Sequence, residues 1–298
     1  MNNKKYKNIY LTNKMNEANC VTHSGNFHID DIISTIFLSK VLENVVLIRI
    51  PSIENMNLKN KIVYDIGFGE FDHHQKNRNG KRKNGIYYSS IGLLWKKYGK
   101  KYLRNLDEKN TDKIFEYMDK ELIQYIDATD NMQIEYLENK VSPDYIKYCN
   151  PQWNENISED EAFVYALKLA DEFWEVYIKH AIAEVKAIEL ILNEEKKSKE
   201  CYLVFNSDLP YRKAVNLMKN DKIKYMIFKS RREGYDIRII REKCKFNETI
   251  MKYKYSNNSN IIGISDLIYV DINGRLCCTK TLESAIKLVK YNEENQNN

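Results

Sequence analysis

The stretch DDIISTIFLSKVLENVVLIRI, residues 30–50, decides the fold class. Its first half repeats apolar residues at helical spacing, and its second half is a β-branched run that Pro51 closes. The segment KIVYDIG, residues 61–67, ends in a carboxylate and a glycine, as buried parallel strands do where they lead into a ligand site. Helices predicted at 89–103 and 111–126 continue the alternation. The pattern therefore predicts an α/β domain with a doubly wound parallel sheet.

A long helix separates this region from a second one. Residues 159–197 contain no Pro or Gly and repeat apolar side chains every three or four positions, which predicts one long or once-broken amphipathic helix. Strands predicted at 201–205, 222–228, 235–240 and 267–270, with a closing helix at 281–290, indicate a smaller α/β domain. The predicted map is a disordered tail at 1–19, a larger domain at 20–197 that includes the long helix, a smaller substrate-binding domain at 198–291 and a tail at 292–298. Residues 247–262 are predicted to form a loop.

The composition excludes fibrous and wholly disordered classes. The chain has 298 residues, 43% hydrophobic and 30% charged, with ten Gly and four Pro. It contains no apolar run of membrane-spanning length and no secretory signal, so we expect a soluble protein of the cytoplasm or nucleus that has no membrane partner. Its Lys-rich opening leaves a mitochondrial presequence as the alternative. Six scattered cysteines are expected to be reduced, and the net charge of +5 is compatible with phosphate or nucleic-acid ligands.

Histidines and aspartates gather in a few short segments. Four of the five histidines fall in two clusters. The first cluster, at 21–31, is predicted to be a loop opening into a helix, and it contains His23, His28, Asp30 and Asp31. The second follows the strand at 61–67 and contains Asp65, Asp72, His73 and His74. A third patch, with Asp127 and Asp130, closes a predicted helix.

These side chains are metal ligands of one chemical kind. Imidazole and carboxylate groups without thiolates suit Mn²⁺ or Mg²⁺ and tolerate Zn²⁺ or Co²⁺. The set is larger than one ion requires. Two ions about 3.5–4 Å apart would activate a water molecule and neutralise a phosphoryl group during in-line attack. The sequence therefore predicts hydrolysis of a phosphoester or phosphoanhydride.

At these residues the sequence resembles a known family of metal-dependent nucleases, named after melanocyte proliferating gene one, within the DHH phosphoesterase superfamily. Its motif T-H-x-G-x-F-H-x-D-[DE] is matched at 22–31, its V-x-D-x-G at 63–67 and its D-H-H-Q at 72–75. Three further elements follow in the family's order at 89–93, 127–131 and 150–153. The resemblance implies a larger DHH-type domain followed by a smaller α/β domain, linked by the long helix.

The resemblance also implies a role for each residue. It gives one metal to His23, His28 and Asp65. The second metal would be held by Asp30, Asp65, His73 and either Asp127 or Asp130, with Asp127 preferred because it lies nearer the predicted helix end. Asp65 would bridge the two metals. The catalytic set would be His74, which contacts the scissile phosphate, with Asp72, which orients a neighbouring histidine, and Asp31.

Basic residues after the second cluster are candidate substrate contacts. They are Lys76, Arg78, Lys81, Arg82 and Lys83. With nearby tyrosines they predict either a surface that binds a polyanionic strand or an ordinary solvated loop. Arg212 and Lys213 are the corresponding candidates in the smaller domain. The family's last element falls at 269–281, where Asn273 and Gly274 are expected to contact substrate, while Asp271, Cys277 and Cys278 replace a histidine and two glycines of the family.

The expected function is that of a divalent-metal-dependent phosphodiesterase. The resemblance implies a 3′→5′ exonuclease that acts on RNA rather than DNA, with two metal ions, Mn²⁺ before Mg²⁺. One alternative is a hydrolase of small phosphate compounds or short oligonucleotides. Another is a catalytically weakened protein that binds metal or RNA, which the altered 269–281 element favours. The oligomeric state is left open.

Overall fold

The computed structural model describes residues 5–54, 56–76, 78–133, 143–241, 244–252 and 263–295. The chain divides into two compact units, Met1–Ile182 and Ala183–Asn298. Both contain helices and a five-stranded sheet, so the predicted α/β class is confirmed. The division falls inside the long helix, whereas the predicted domain boundary lies at its end. That boundary, at residues 197/198, stays a prediction.

The sheet of the first unit is mostly parallel. Its strands are β1 (Lys5–Tyr6), β2 (Ile9–Leu11), β3 (Cys20–His23), β4 (Val45–Ile50) and β5 (Ile62–Val63). They lie in the order β1-β2-β4-β3-β5. All neighbours from β2 to β5 pair in parallel, and β1 pairs antiparallel with β2. Because β3 and β5 are parallel neighbours, the residues that follow them emerge at the same edge of the sheet.

Five helices accompany this sheet. They are α1 (Ile29–Val41), α2 (Ser90–Arg104), α3 (Thr111–Met118), α4 (Gln124–Asp130) and α5 (Glu159–Lys197). A π-helical turn, Asp119–Ile123, joins α3 to α4, so the helix predicted at 111–126 is continuous but extends to Asp130. A short 3₁₀ helix spans Asp144–Cys149. The long helix α5 is unbroken and has the predicted bounds. Among the described residues no helix is both long and apolar enough to cross a membrane.

Helix α1 lies at the centre of the first unit. Ten of its thirteen residues are buried, which exceeds the single apolar stripe of a surface helix. Its Phe37 ring lies 5.3 Å from that of Trp95 and 5.6 Å from that of Trp174, which brings α2 and α5 against it. The first turn of α1 carries two buried acids, Asp30 and Asp31. The aromatic core therefore holds these carboxylates on a rigid element.

The N-terminal segment is structured. The prediction of a disordered tail at 1–19 is wrong for residues 5–11, which form β1 and β2. Tyr6 donates a hydrogen bond to Asp171 of α5 at 2.9 Å, and Lys7 pairs with the same carboxylate. Lys40 of α1 lies 2.6 Å from Asp171 as well. The Asn- and Lys-rich composition is typical of a disordered tail, so it gives no indication of two short strands that are stabilised by contacts with distant residues.

The second unit contains a mixed sheet. Its strands are β6 (Tyr202–Phe205), β7 (Tyr225–Lys229), β8 (Tyr235–Ile239), β9 (Leu267–Val270) and β10 (Leu276–Thr279), in the order β6-β7-β8-β10-β9. Only β6 and β7 pair in parallel. The helices are α6 (Arg212–Val215), α7 (Glu248–Lys252) and α8 (Leu282–Glu294).

Two predictions for this unit need correction. The tail predicted at 292–298 is helical to Glu294, because Asn292 of α8 is buried and its side chain donates to the Tyr225 hydroxyl. The loop predicted at 247–262 contains α7, and its later part lies outside the described residues, as do residues 1–4 and 296–298. Strand β10 is absent from the sequence prediction, although it is an inner strand that pairs with both β8 and β9.

Candidate metal centre

The two histidine clusters meet at the carboxyl edge of the parallel sheet. His23 is the last residue of β3, and Asp65 follows β5. The prediction of a loop at 21–31 is therefore wrong for its first three residues, which belong to a strand. His28 precedes the first turn of α1, where its backbone N–H donates to Asp31 at 3.1 Å. The acids at this helix N-terminus also complement the positive end of the helix dipole.

Asp65 lies at the centre of the cluster. One of its carboxylate oxygens is 3.2 Å from His23 Nε2, and the other is 3.2 Å from His73 Nε2. Its backbone has φ +57°, in the left-handed region that costs a residue with a side chain about 1 kcal/mol or more. Its N–H is held by the carbonyl of Phe71 at 3.1 Å. The turn after β5 thus holds the Asp65 backbone in a strained conformation. That conformation places the Asp65 carboxylate between His23 and His73.

His73 faces three carboxylates. Its Nε2 is 2.9 Å from Asp130, 3.2 Å from Asp65 and 4.0 Å from Asp30. Burial alone would lower the pKa of His73, but its contacts with Asp130 and Asp65 raise it to about 10. In the same way Asp31 and Asp65 outweigh burial and raise the pKa of His23 to about 11. The site strongly favours positive charge.

Three overlapping sets of side chains can each hold a cation. Within each set the ligand atoms lie within 4.8 Å of one another. The sets are His23, His28 and Asp65; Asp65, His73 and His74; and His28, Asp30 and Asp130. Asp65 and His28 each belong to two sets, so neighbouring cations would share ligands. The donors are imidazole nitrogens and carboxylate oxygens, which suits the divalent ions expected from the sequence.

Asp30 provides a test of whether the residues fit a metal. Its side chain is fully buried, and Oδ1 has no hydrogen-bond partner among the described residues. Burial, followed by the nearby charges of Asp130, Asp65 and Asp31, raises the pKa of Asp30 well above its ordinary value. A buried carboxylate among other carboxylates is costly unless a cation compensates it. The residues therefore fit a divalent metal.

Asp127 does not face this cluster. It is fully buried, and one oxygen accepts hydrogen bonds from the Ser89 backbone at 2.9 Å and the Ser89 hydroxyl at 2.7 Å. Its other oxygen pairs with Arg82. A Cβ at Gly92 would lie only 2.3 Å from Asp127, so α2 and α4 are in tight contact there. The preference for Asp127 over Asp130 is therefore corrected: Asp130 contacts His73.

Asp72 belongs to none of the three ligand sets but contacts His74, which belongs to one of them. Its carboxylate is 2.6 Å from His74 Nδ1 and accepts hydrogen bonds from the backbone N–H groups of His74 and Phe68. The hydrogen bond between the Asp72 carboxylate and the His74 ring raises the pKa of His74 above its ordinary value. The His74 side chain is about half exposed, at 54%. The geometry suits the orienting role that the sequence predicts for Asp72, and that role stays a prediction.

A pocket of about 520 Å³ opens beside the cluster. Its lining includes His28, His73, His74 and Asp130 together with two cations, Arg78 and Lys147. Arg78 was among the predicted substrate residues, whereas Lys147 was not. Lys147 lies on the 3₁₀ helix just before the predicted element at 150–153, and nothing in its own sequence distinguishes it from other lysines.

The other predicted substrate residues have mixed outcomes. Arg82 is buried and pairs with Asp119 and Asp127, so its guanidinium is not available to a substrate. Lys76, Lys81 and Lys83 are exposed. In the second unit Arg212 is exposed and Lys213 is half-buried on α6.

Asn273 and Gly274 belong to the turn between β9 and β10. The N–H of Gly274 donates to the Asp271 carbonyl at 3.0 Å, and that of Asn273 donates to the Asp271 side chain at 3.1 Å. Gly274 is buried at φ +66°, and a Cβ there would lie 2.8 Å from Met251 Sδ. Gly274 thus forms the turn and packs against Met251, and the substrate role expected for Asn273 and Gly274 stays a prediction.

Comparison with known proteins identifies the family. The model of the MYG1_exonuc family, described as "Uncharacterised protein family (UPF0160)", matches residues 19–292. The chain belongs to the MYG1 family. It is 22% identical over 315 aligned residues to the MYG1 protein of Dictyostelium discoideum, covering 91% of this chain and 95% of that protein. It is 21% identical to the MYG1 protein C694.04c of Schizosaccharomyces pombe, covering 92% and 97%. No solved structure matches the chain significantly.

The family match includes both histidine clusters, the pocket and the sheet of the second unit. The resemblance that the motifs indicated is thus confirmed at the level of the MYG1 family. The family's label contains the word exonuc, while its description assigns no activity.

Proposed function

We propose that this MYG1 chain is a divalent-metal-dependent phosphodiesterase that degrades nucleic acid, and in particular a 3′→5′ exonuclease on RNA. The observation that carries the proposal is the position of Asp65, 3.2 Å from both His23 and His73, where the sets of candidate ligands overlap. The family label supports an exonuclease, and the RNA preference and polarity rest on the motif resemblance. The parallel order β2-β4-β3-β5 supports a doubly wound, DHH-type larger domain.

The residues divide into ligands and substrate contacts. His23, His28 and Asp65 would hold one cation, and Asp30, Asp130 and His73 would hold a second that shares Asp65. Bound divalent cations supply a hydroxide at neutral pH and neutralise charge on the phosphoryl group. The three imidazoles among these ligands favour Mn²⁺ over Mg²⁺, which prefers oxygen ligands.

The substrate contacts lie around the pocket. His74, oriented by Asp72, donates a hydrogen bond to a non-bridging oxygen of the scissile phosphate. Arg78 and Lys147 bind the charge of this phosphate and its neighbour, since both line the pocket. A volume of about 520 Å³ is in the range of small-ligand sites and accommodates one nucleotide.

The test is hydrolysis of 5′-labelled single-stranded RNA and DNA with Mn²⁺, Mg²⁺ or EDTA. We expect a ladder of shortened RNA products that requires metal. The variants Asp65→Asn and His73→Ala should lose about 100-fold or more in rate. His180→Ala is the matched control, because His180 is exposed on α5 and belongs to none of the ligand sets among the described residues. A wild-type chain that binds two Mn²⁺ but cleaves nothing would contradict the proposal and favour a metal-binding protein without activity.

Short substrates are the second candidate. The one-nucleotide size of the pocket favours hydrolysis of short oligonucleotides or small phosphate compounds over processive digestion. Rates measured on RNA of two to thirty nucleotides distinguish these functions. An exonuclease for long strands should keep or raise kcat/KM with length, whereas the alternative predicts a maximum at the shortest substrates.

A further inference from the structure

The second unit contains a cavity of about 850 Å³ that the candidate metal centre does not share. Four arginines line it: Arg212, Arg238, Arg241 and Arg275. No carboxylate belongs to the lining among the described residues. Four guanidinium groups around one concave surface form an anion site, because each offers planar N–H donors that match phosphate oxygens.

Two of these arginines are fixed in place by the protein. Arg238 lies 3.0 Å from Asp208 and 3.3 Å from Asp236. Arg241 donates to two backbone carbonyls, at 3.0 and 2.8 Å, and lies 3.5 Å from Asp221. Such contacts partly neutralise the two side chains, but they also position them before any ligand arrives, which reduces the ordering cost of binding.

The other two arginines retain unused donors. Arg275 donates through Nη2 to the Arg241 carbonyl at 2.9 Å, while its Nε is buried without a hydrogen-bond partner among the described residues. A buried donor without a partner costs about 1–3 kcal/mol, so it needs a reason. Arg212 is exposed, and its side chain makes no hydrogen bond or ion pair within the described part of the chain. An anionic ligand accounts for the Arg212 side chain that is free among the described residues, whereas the Arg275 Nε, which solvent does not reach, lies behind the wall of the cavity.

Apart from Asn216, the remaining walls of the cavity are apolar or aromatic. They include Tyr211, Met218, Ile239 and Leu276. The Tyr211 ring lies 5.4 Å from the Arg238 guanidinium, so an aromatic face stands beside the charge. Inorganic phosphate would make no favourable contact with such walls, whereas a nucleotide can place its phosphate against the arginines and its ribose or base against the apolar side chains.

We propose that this arginine pocket binds a phosphate ester of single-stranded nucleic acid and so anchors the substrate strand through the second unit. The choice of nucleic acid as ligand rests on the proposed nuclease function. The pocket itself rests on the four arginines, the exposed Arg212 side chain among them, and on the apolar walls.

The test is the affinity for fluorescently labelled single-stranded RNA of twenty nucleotides, measured by anisotropy in EDTA so that no cleavage occurs. Arg212→Glu and Arg275→Gln are the test variants. Arg212 is exposed, so its substitution should leave folding intact, which the melting temperature verifies. Each variant should raise Kd about tenfold, and loss of the Arg212 contact should reduce the slope of log K against log salt by about 0.7. Arg232→Glu, a charge reversal on an exposed arginine of the β7–β8 loop, is the matched control and should have a smaller effect than Arg212→Glu.

The outcomes separate this proposal from the proposed function. Equal Kd for wild type, Arg212→Glu and Arg232→Glu overturns the arginine pocket, whatever the cleavage activity. Arginine-dependent binding by a chain that cleaves no substrate supports the pocket and refutes the nuclease. Unlabelled AMP and unlabelled RNA are each used to displace the labelled RNA. If AMP displaces it at the same concentration as the unlabelled strand does, the pocket is a free-nucleotide site and the proposal of a strand as ligand is overturned.

Discussion

At the residue scale, the candidate centre separates ligands from the residues that orient them. Asp65 faces two histidines, while Asp72, in the same loop, faces only His74 and two backbone N–H groups. The two aspartates are seven positions apart, and each follows an aromatic residue. Their different geometry nonetheless predicts different responses to the same substitution.

Asp72→Asn should lower kcat about 10- to 100-fold without changing metal content, because it replaces the carboxylate that orients His74 with a neutral amide. Asp65→Asn, the matched control at a ligand position, should lose both activity and bound metal. The measurement is the molar ratio of Mn²⁺ to protein after dialysis, alongside the rate. Equal loss of metal in the two variants would show that Asp72 is itself a ligand.

Much of the centre could be predicted from residue types alone. Histidines and aspartates have few reasons to alternate in short segments other than metal binding, and the structure brings the predicted clusters together. The choice between Asp127 and Asp130 could not be predicted, because residues three apart lie on nearly the same helix face. What decides between them is Arg82, whose burial against Asp127 depends on the packing of α2 with α4. The position of Lys147 in the pocket could not be predicted either, because no motif distinguishes it from the other lysines of the chain.

At the element scale, Asp171 of α5 connects the N-terminal strands with α1. Its side chain is only 2% exposed, and it meets Lys7, Lys40 and the hydroxyl of Tyr6. Burial opposes its charge, but the hydrogen bonds from Lys40, Lys7 and Tyr6 prevail and hold the pKa of Asp171 below its ordinary value of 3.8. The charged form is therefore the one that stabilises the fold.

Asp171→Asn should lower the free energy of unfolding by about 2 kcal/mol near neutral pH, since it weakens the charge-assisted contact with the nearly buried Lys40, which keeps Glu175, and with the more exposed Lys7. The wild-type advantage is complete above the unfolded pKa of about 4 and disappears as pH falls through the lower folded pKa. Urea unfolding at pH 7 and at successively lower pH measures it. Glu175→Gln, a more exposed partner of Lys40, should cost under about 1 kcal/mol. A deficit for Asp171→Asn that is undiminished well below pH 4 would contradict this account.

Some elements could be predicted from the sequence and others could not. The bounds of α5 follow from its uninterrupted period, and the β9 prediction matches the observed strand. Strand β10 was missed because Cys277 and Cys278 were interpreted only as replacements for glycines, although Asn273-Gly274 between apolar runs is a strong hairpin signal. Strands β1 and β2 are too short for any periodicity to show.

At the scale of the whole molecule, the centre links folding to metal binding. Four buried or nearly buried aspartates face one another in the first unit: Asp30, Asp31, Asp65 and Asp130. Their repulsion falls when a cation binds, and only the folded chain assembles them. A metal that binds the native state alone shifts the folding equilibrium in proportion to the logarithm of its concentration.

Mn²⁺ at 100 times its Kd should stabilise the chain by about 2.7 kcal/mol and raise Tm by about 5–10 °C. Differential scanning calorimetry with and without EDTA measures the shift. His73→Ala should reduce it strongly, whereas the surface variant His180→Ala should retain it. A wild-type Tm that is unchanged by Mn²⁺ would refute the metal centre.

The left-handed backbone of Asp65 also bears on how such a protein can lose its activity. Glycine at this position would relieve the backbone strain, but it would also remove the carboxylate that pairs with His23 and His73. A neutral residue at Asp30, by contrast, would remove buried repulsion, so that inactivating change makes the metal-free fold more stable. Selection for thermal robustness alone, in a laboratory library or in a lineage that no longer needs the enzyme, would therefore accumulate substitutions at the centre first. Inert descendants of this chain would be well folded, and a stability screen run without metal would favour them.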